Sequence, residues 1–129
     1  MSRPFFTMGT FLLILLGACS KSHSPQPGLM GQWRLINITG GIAGGVVDYG
    51  PSVLQLQPDS SYTIKYSWPT STSGTYSISI NRVGITSDTV ISFRTGSYTY
   101  QKLLQLNNLQ LKLIDIYVSD GYTETYTKL

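Results

Sequence analysis

From Gly31 onward, apolar and polar residues alternate along short segments of the chain. A period of two is typical of β-strands that bury one face, and no stretch of this region has a convincing helical period. In Tyr62–Trp68, the aromatic and aliphatic residues occupy the even positions, and Thr, Lys and Ser the odd ones. Turn residues interrupt the alternation about every eight to twelve positions. The pattern predicts eight or nine strands, drawn from ten candidate segments: Gln32–Ile38, Val53–Gln57, Tyr62–Trp68, Thr75–Ile80, Val83–Ser87, Thr89–Thr95, Tyr98–Leu106, Leu109–Ile114, Asp115–Val118 and Tyr122–Lys128.

The links between these segments are short, which favours pairing between strands that follow one another in the chain. Asn107-Asn108 is expected to form the two-residue loop of a hairpin, because Asn tolerates positive φ angles. Gly121 is expected to take the left-handed position of the last turn. Closing such a meander into a barrel buries one face and removes free edges. The sequence therefore predicts an all-β fold, an up-and-down antiparallel β-barrel of about eight strands, with a β-sandwich as the alternative.

The N-terminus carries the features of a secretory signal. Arg3 supplies the positive start, and Phe11–Leu16 is an apolar run that ends at Gly17-Ala18-Cys19. This run is shorter than the roughly 20 apolar residues that a membrane-spanning helix needs. Met1–Ala18 is therefore predicted to be a signal peptide and not a permanent anchor.

The segment Leu16–Cys19 (Leu-Gly-Ala-Cys) resembles the lipobox of bacterial lipoproteins. The resemblance implies cleavage before Cys19, a diacylglycerol on its sulfur and an acylated amine, so that three acyl chains anchor the protein. Ser20, where Asp would retain a lipoprotein at the inner membrane, implies the outer membrane of the cell envelope. Ser20–Gly28 has no apolar residue and two prolines, which predicts a flexible tether over residues 19–28. Residues 29–129 then form the folded domain.

The start of that domain, Gly31–Trp33, carries the Gly-x-Trp pattern that opens the first strand of lipocalins, and the domain resembles small bacterial lipocalin-like lipoproteins. The Gly-rich stretch Gly40–Gly45, the segment Gly74–Tyr76 and the Tyr-rich last strand carry the rest of the resemblance. The resemblance implies that Trp33 plugs the closed end of the barrel. It also implies that Lys128 takes the place of the basic residue that packs on this Trp.

The composition restricts the chemistry that the chain can perform. Only 12% of the 129 residues are charged, so the 16 Ser and 14 Thr are expected to supply much of the polar surface. The one Cys excludes an intramolecular disulfide and a four-cysteine zinc site, and the one His, His23, falls in the tether. Asp115, Asp120 and Glu124 are expected to form a solvated rim and not a metal site. The sequence therefore predicts no enzyme activity, no catalytic or metal-ligating residues and no cofactor.

An aromatic face of the strands is the strongest indication of a binding site. A Tyr side chain offers an apolar body and a hydroxyl that can orient a ligand. The glycine-rich segment from Gly40 to Gly50 is expected to be a mobile loop that gates the barrel, since it lacks the Lys-Ser/Thr and the helix of a phosphate loop. Alternatively the rings fill the core, because a small eight-stranded barrel is just wide enough for side chains. The candidate ligand-binding residues are Trp33, Tyr62, Tyr66, Tyr76, Tyr98 and Tyr100, and Trp68 shares their face.

The leading functional hypothesis is an envelope lipoprotein that binds a small apolar or amphipathic ligand without catalysis. The alternative is a structural or protein-interaction accessory of the envelope, with a filled core and rim loops that bind an envelope protein. Basic residues such as Lys65, Arg94 and Lys112 are spread over several strands without arginine clusters, so nucleic acid is not an expected partner. The expected partners are the membrane, through the acyl chains, and a small lipophilic ligand.

Overall fold

The computed structural model describes residues 26–47, 50–67, 70–83, 86–116 and 118–129. The predicted signal peptide, Cys19, His23 and Trp68 lie outside the described residues. Within the described ranges, no helix is long and apolar enough to cross a membrane. The regular structure in these ranges consists of β-strands, as the alternation of apolar and polar residues predicts.

Nine strands lie within these ranges. They are β1 (Gly31–Gly40), β2 (Gly45–Val47), β3 (Val53–Leu56), β4 (Ser61–Lys65), β5 (Ser71–Val83), β6 (Thr86–Thr95), β7 (Tyr98–Asn107), β8 (Gln110–Asp115) and β9 (Tyr122–Lys128). All pairings are antiparallel, and β1 and β3–β9 pair in chain order. The pairing of β1 with β9 closes these eight strands into a barrel, while β2 pairs with the end of β1. The predicted up-and-down barrel is therefore confirmed, and the sandwich is excluded.

Several boundaries differ from the prediction. The predicted strand Val83–Ser87 is wrong, because Val83 ends β5 whereas Thr86 and Ser87 belong to β6. The predicted strand Tyr62–Trp68 is too long, because β4 ends at Lys65.

Asp88 does not separate two strands, because it pairs with Asn81 inside β6 and its exposed side chain stays in water. The β7–β8 loop is Asn108-Leu109, one residue later than expected, since Asn107 still pairs with Gln110. The Asn107 Oδ1 atom accepts a hydrogen bond from the Gln110 backbone N–H at 3.1 Å, which fixes this turn.

The predicted strand Asp115–Val118 is also wrong, because Asp115 is the last residue of β8. The Asp115 carboxylate accepts a hydrogen bond from the Tyr122 backbone N–H at 3.0 Å, so the chain returns directly into β9. Gly121 does not have a positive φ angle, contrary to expectation. It is favoured there by close packing, because a Cβ atom on Gly121 would lie 2.8 Å from the Asp115 Cβ atom.

The two ends of the barrel differ, and we call them the base and the mouth. The base is the end where β1 begins and β9 ends, and Trp33 is fully buried there. The Trp33 Nε1–H group donates to the Leu29 carbonyl at 2.8 Å, and the Lys128 Nζ atom lies 5.0 Å from the indole ring centre. Gly31 has a φ of 119°, so a glycine suits this tight entry into β1. The base is therefore closed by Trp33 with Lys128 packed on it, as the resemblance implies.

The core fills the lower half of the barrel. Its buried side chains include Leu54, Leu56, Tyr62, Phe93 and Leu111, which all face inward from their strands. Packing is tight at Gly74, where a Cβ atom would lie 2.9 Å from the Tyr62 ring and 1.9 Å from the Arg94 carbonyl oxygen. A glycine at position 74 therefore lets the Tyr62 ring lie across β5.

Candidate functional site

A cavity of about 410 Å³ occupies the upper half of the barrel. Its volume is near the lower end of the range for small-molecule sites. The inward-facing positions of the strands supply its wall, and these positions are mixed in chemistry. Aliphatic and Phe side chains form one part, and tyrosines and charged side chains form another. The lining residues are Leu35, Ile38, Ser52, Leu54, Ile64, Tyr66, Phe93, Tyr100, Lys102, Leu113, Asp115, Tyr122, Glu124 and Tyr126.

Three charged side chains meet in the cavity wall, and we call them the ion triad: Lys102, Asp115 and Glu124. The Lys102 Nζ atom lies 2.8 Å from Asp115 Oδ1 and 2.7 Å from Glu124 Oε1. The register of the sheet produces this arrangement, because Lys102 on β7 directly opposes Asp115 on β8. Glu124 lies on β9, which pairs along the other edge of β8. The triad therefore crosses three neighbouring strands on their inner face.

The second oxygen of each carboxylate also accepts a hydrogen bond. Asp115 Oδ2 accepts from the Tyr122 backbone N–H at 3.0 Å, and Glu124 Oε2 accepts from the Tyr126 hydroxyl at 2.8 Å. Such bonds to charged acceptors are stronger than bonds between neutral groups. The carboxylates are thus held in place by the backbone and by a buried tyrosine.

Burial and the interactions within the triad shift the pKa values of Lys102 and Asp115 in opposite directions, and the interactions together have the larger effect. Burial alone would lower the pKa of Lys102, but the two neighbouring carboxylates raise it above its usual value. Burial alone would raise the pKa of Asp115, but hydrogen bonds from Lys102 and the Tyr122 backbone, together with the Lys102 charge, lower it. Lys102 and Asp115 are therefore charged at neutral pH.

Two tyrosines of the wall, Tyr100 and Tyr126, remain protonated. Burial, followed by the negative charge of Glu124, raises the pKa of Tyr126 far above its usual value. Burial also raises the pKa of Tyr100, with added contributions from the neighbouring Tyr62 hydroxyl and from Glu124. Both hydroxyls can therefore donate hydrogen bonds at any physiological pH.

The structure divides the six predicted aromatic residues among three locations. Tyr66 and Tyr100 line the cavity, near its opening. Tyr98 is 78% exposed and lies on the rim, because β7 begins there. The remaining three, Trp33, Tyr62 and Tyr76, are buried in the core and do not line the cavity.

The hydroxyl groups of the buried tyrosines form hydrogen bonds within the protein. The Tyr76 hydroxyl donates to the Gln57 carbonyl at 2.9 Å, and the Tyr62 hydroxyl is hydrogen-bonded to Thr95. Tyr62 packs edge-on against Phe93, with ring centres 4.9 Å apart, and Phe93 stacks on Tyr100 at 5.2 Å. Tyr62 and Tyr76 therefore support the floor of the cavity without lining it, whereas Phe93 and Tyr100 belong to its wall.

The prediction that the acidic residues form a solvated rim is wrong for Asp115 and Glu124. Asp120 is exposed, but the other two carboxylates face inward and pair with Lys102. The sequence indicates this through the alternation of inward and outward positions along each strand. Lys102 shares the even positions of Tyr100 and Leu104, and each carboxylate shares the inward parity of its own strand. An inward-facing charge on each of three neighbouring strands predicts a buried ionic cluster.

The glycine-rich segment after β1 is partly regular. Gly40 pairs with Gly45, and the Gly44 backbone N–H donates to the Gly41 carbonyl at 3.0 Å. This is a tight turn between β1 and β2 and not an irregular loop. Residues 48 and 49, which belong to the predicted gate, lie outside the described residues.

The arrangement is suited to holding a small molecule with both apolar and polar parts. Across the part of the chain that the structure describes, no group of three or more His, Cys, Asp or Glu side chains could hold a metal ion. The chain matches no protein-family model, no curated protein and no solved structure. A proposal for its function therefore depends on the geometry of the cavity.

Proposed function

We propose that the protein is a lipid-anchored lipoprotein of the cell envelope whose lipocalin-like barrel binds a small apolar or amphipathic molecule without catalysis. The observation that carries this proposal is the cavity of about 410 Å³ above a closed and tightly packed base. Ligand sites are typically concave and mostly apolar, with a few placed polar groups. The mouth of this barrel has that composition.

The two parts of the cavity wall have distinct roles in this proposal. Leu54, Ile64 and Phe93 offer apolar surface for the body of the ligand, and burying it contributes roughly 25 cal/mol for each Å² removed from water. The ion triad and the Tyr126 hydroxyl offer polar contacts that fix its orientation. The cavity thus favours an amphipathic molecule over a purely hydrocarbon one.

The lipid anchor and the cavity belong to opposite ends of the domain. The tether reaches the barrel at Gly28 and Leu29, which contact Lys128 and Trp33 at the base. The cavity lies at the mouth, beside Tyr66 and Tyr122. An acylated Cys19 would hold the base toward the membrane, so that the ligand enters from the aqueous side.

Native mass spectrometry of the chain purified from membranes tests the binding proposal. The protein is incubated with an extract of envelope lipids and metabolites, and its intact mass is then recorded. A defined, stoichiometric added mass supports the proposal. A mass that never exceeds that of the acylated chain, over the full range of extract concentrations, contradicts it.

A second candidate is an interaction module that binds an envelope protein through its rim. The observation that favours it is exposed apolar surface on the turns at the mouth, where Ile42 is 94% exposed and Val46 and Val118 are also largely exposed. Soluble proteins that expose clustered apolar residues often use them for contacts. Crosslinking from position 42 in cells, with a matched crosslinker at the outer-face residue Thr63, distinguishes a rim contact from random collision.

A further inference from the structure

We infer that the ligand of the mouth cavity is an amphipathic cation, an amine whose ammonium group lies against Asp115 and Glu124 and whose apolar part lies along the aliphatic wall. This inference rests on the proposed binding function and adds the charge of the ligand to it. Three features of the cavity support it: the balance of charge in its wall, the unused hydrogen-bond acceptor sites of its carboxylates, and the tyrosine rings near its opening.

The cavity wall carries an excess of negative charge. Among its described lining residues, Lys102 contributes one positive charge, while Asp115 and Glu124 contribute two negative ones, so the formal sum is −1. The chain as a whole has a net charge of +3, so the sign inside the cavity is opposite to that of the protein. The cavity therefore attracts a cation and repels an anion of the same size.

The basic residues described elsewhere do not neutralise this excess. Lys128 faces inward, but it lies at the base over Trp33 and donates to the Gly28 carbonyl. Lys65 is exposed, on the opposite face of β4 from the cavity-lining Ile64. Lys112 alternates with the inward-facing Leu111 and Leu113 and so faces outward. Arg34 and Arg94 are exposed and alternate with the inward-facing Trp33 and Phe93. Among the described residues, the charge of −1 is therefore local to the mouth.

The carboxylates keep hydrogen-bonding capacity for a donor. Each of their four oxygens accepts one hydrogen bond from a described residue, namely from Lys102, from the Tyr122 backbone or from Tyr126. A carboxylate oxygen has two lone pairs, so about half of the acceptor sites remain. An ammonium group has three N–H donors and no acceptor, which matches what the cavity lacks.

The aromatic rim supplies a second attraction for a cation. Tyr66 and Tyr100 line the cavity together with Tyr122, and each exposes part of its ring. The faces of aromatic rings attract ammonium groups. The aliphatic wall formed by Leu35, Ile38 and Ile64 lies in the same cavity and accepts an alkyl chain. An alkylamine thus offers all that the cavity requires: a positive charge, N–H donors and an apolar chain.

Three probes that differ only in their head group test the inference: octylammonium, octanol and octanoate. Their binding to the full chain is measured at pH 7 by calorimetry in nanodiscs of zwitterionic lipid, and the signal of empty nanodiscs is subtracted. We expect octylammonium to bind at least about tenfold more tightly than either other probe, a difference of about 1.4 kcal/mol. In Glu124→Gln, which removes one negative charge but keeps the side-chain size, we expect this preference to disappear.

The outcomes separate the inference from the proposed function. If octanol or octanoate binds as tightly as octylammonium, the cation inference is wrong although the cavity still binds ligands. If none of the three probes binds, both the inference and the proposed binding function fail.

Removal of the internal ammonium gives a second, independent test. Lys102→Ala leaves the two carboxylates with a charge of −2, and an added alkylamine can take the place of the lost ammonium. We expect octylammonium to raise the melting temperature of Lys102→Ala more than that of the wild type, while the control Lys65→Ala responds as the wild type does. An equal or smaller shift in Lys102→Ala overturns the assignment of Asp115 and Glu124 as partners of the ligand.

Discussion

Trp33 closes one end of the barrel through three different interactions. Its ring is fully buried in the core, its Nε1–H group donates to the Leu29 carbonyl, and Lys128 lies over its face. Lys128 also donates to the Gly28 carbonyl, so the same contact joins the last strand to the chain that precedes β1. A lysine is able to fill this position because its ammonium can lie over a ring and reach a carbonyl at once.

Trp33→Ala is expected to lower the free energy of unfolding by about 3–5 kcal/mol. The substitution leaves a cavity at the base and removes the partner of the Leu29 carbonyl. Ile36→Ala, at an exposed position of the same strand, is the matched control and should change stability by less than about 0.5 kcal/mol. Urea denaturation measures both values, and a loss under about 1 kcal/mol in Trp33→Ala would refute the plugging role.

Lys102 illustrates why a buried ion pair is sensitive to losing one member. With Lys102 present, the pKa of Asp115 is lowered, so its contribution to stability is complete above its ordinary pKa of 3.8 and is lost as the pH falls. The pKa of Lys102 is raised, so its contribution persists up to at least its ordinary value of 10.5 and is lost above that. Without Lys102, burial would instead raise the pKa of Asp115.

The stability difference between the wild type and Lys102→Met should therefore depend on pH with a definite sign. It is expected to be largest near neutral pH and to shrink as the pH falls toward 3.8, the ordinary pKa of Asp115. Without Lys102, burial favours the protonated form of this carboxyl, so acid relieves its unpaired charge in the variant but not in the wild type. Urea denaturation of both proteins at several pH values measures it. A difference that stays constant or grows on acidification would show that the triad does not stabilise the fold.

At the scale of the strands, alternation predicts more of the fold than of the site. Strands β3 and β8 lie close to their predicted positions because each carries a regular inward set of apolar residues. The ion triad is not predicted if charged residues are assumed to be solvated, although the alternation along each strand places these residues on the inner face. Lys102 approaches Glu124 because β8 pairs with β7 along one edge and with β9 along the other. The register of these two pairings is not encoded in the local pattern of any one strand.

The β5–β6 hairpin is longer than its neighbours. Pairing of β5 with β4 ends at Thr75, and pairing of β6 with β7 begins at Val90. In the described structure, Ile80–Val83 and Thr86–Thr89 therefore pair only with each other, and we call them the β5–β6 arm. A two-stranded ribbon has little stability of its own.

Amide hydrogen exchange should separate the arm from the closed part of the barrel. Backbone amides of the arm are expected to exchange at least about tenfold faster than those of Val90–Arg94, which are paired on both sides. Mass-spectrometric exchange with peptide resolution measures this ratio. Equal protection in both segments would mean that the arm is covered by another part of the molecule or by a partner.

At the scale of the whole molecule, the proposed attachment and the proposed binding belong to opposite ends. Gly28, the last residue of the proposed tether, and the C-terminal residue both lie at the base, where the Gly28 carbonyl accepts from Lys128 and the Leu129 backbone N–H donates to Gln32. The ten residues 19–28, fully extended, reach at most about 35 Å. A barrel anchored through Cys19 would therefore stay within this distance of the membrane, attached by the end opposite to its mouth.

The intact mass of the chain tests the anchor. The wild type extracted from membranes is expected to begin at Cys19 and to carry the mass of three acyl chains, because the thiol and the new amine are both modified. Cys19→Ala should carry no acyl mass, whereas Ser20→Ala should be modified as the wild type is. An unmodified wild-type chain that retains residues 1–18 would contradict the lipoprotein assignment.

The most direct test of the central claim, that the mouth cavity binds a small molecule, is native mass spectrometry of a cavity-filling variant. Ile64→Trp places a large ring into the cavity from β4, and Thr63→Trp places the same ring on the outer face of that strand. If the cavity is the binding site, the added ligand mass is retained by the wild type and by Thr63→Trp but lost from a folded Ile64→Trp. Retention of the same ligand mass by Ile64→Trp would show that the ligand binds elsewhere and would contradict the claim.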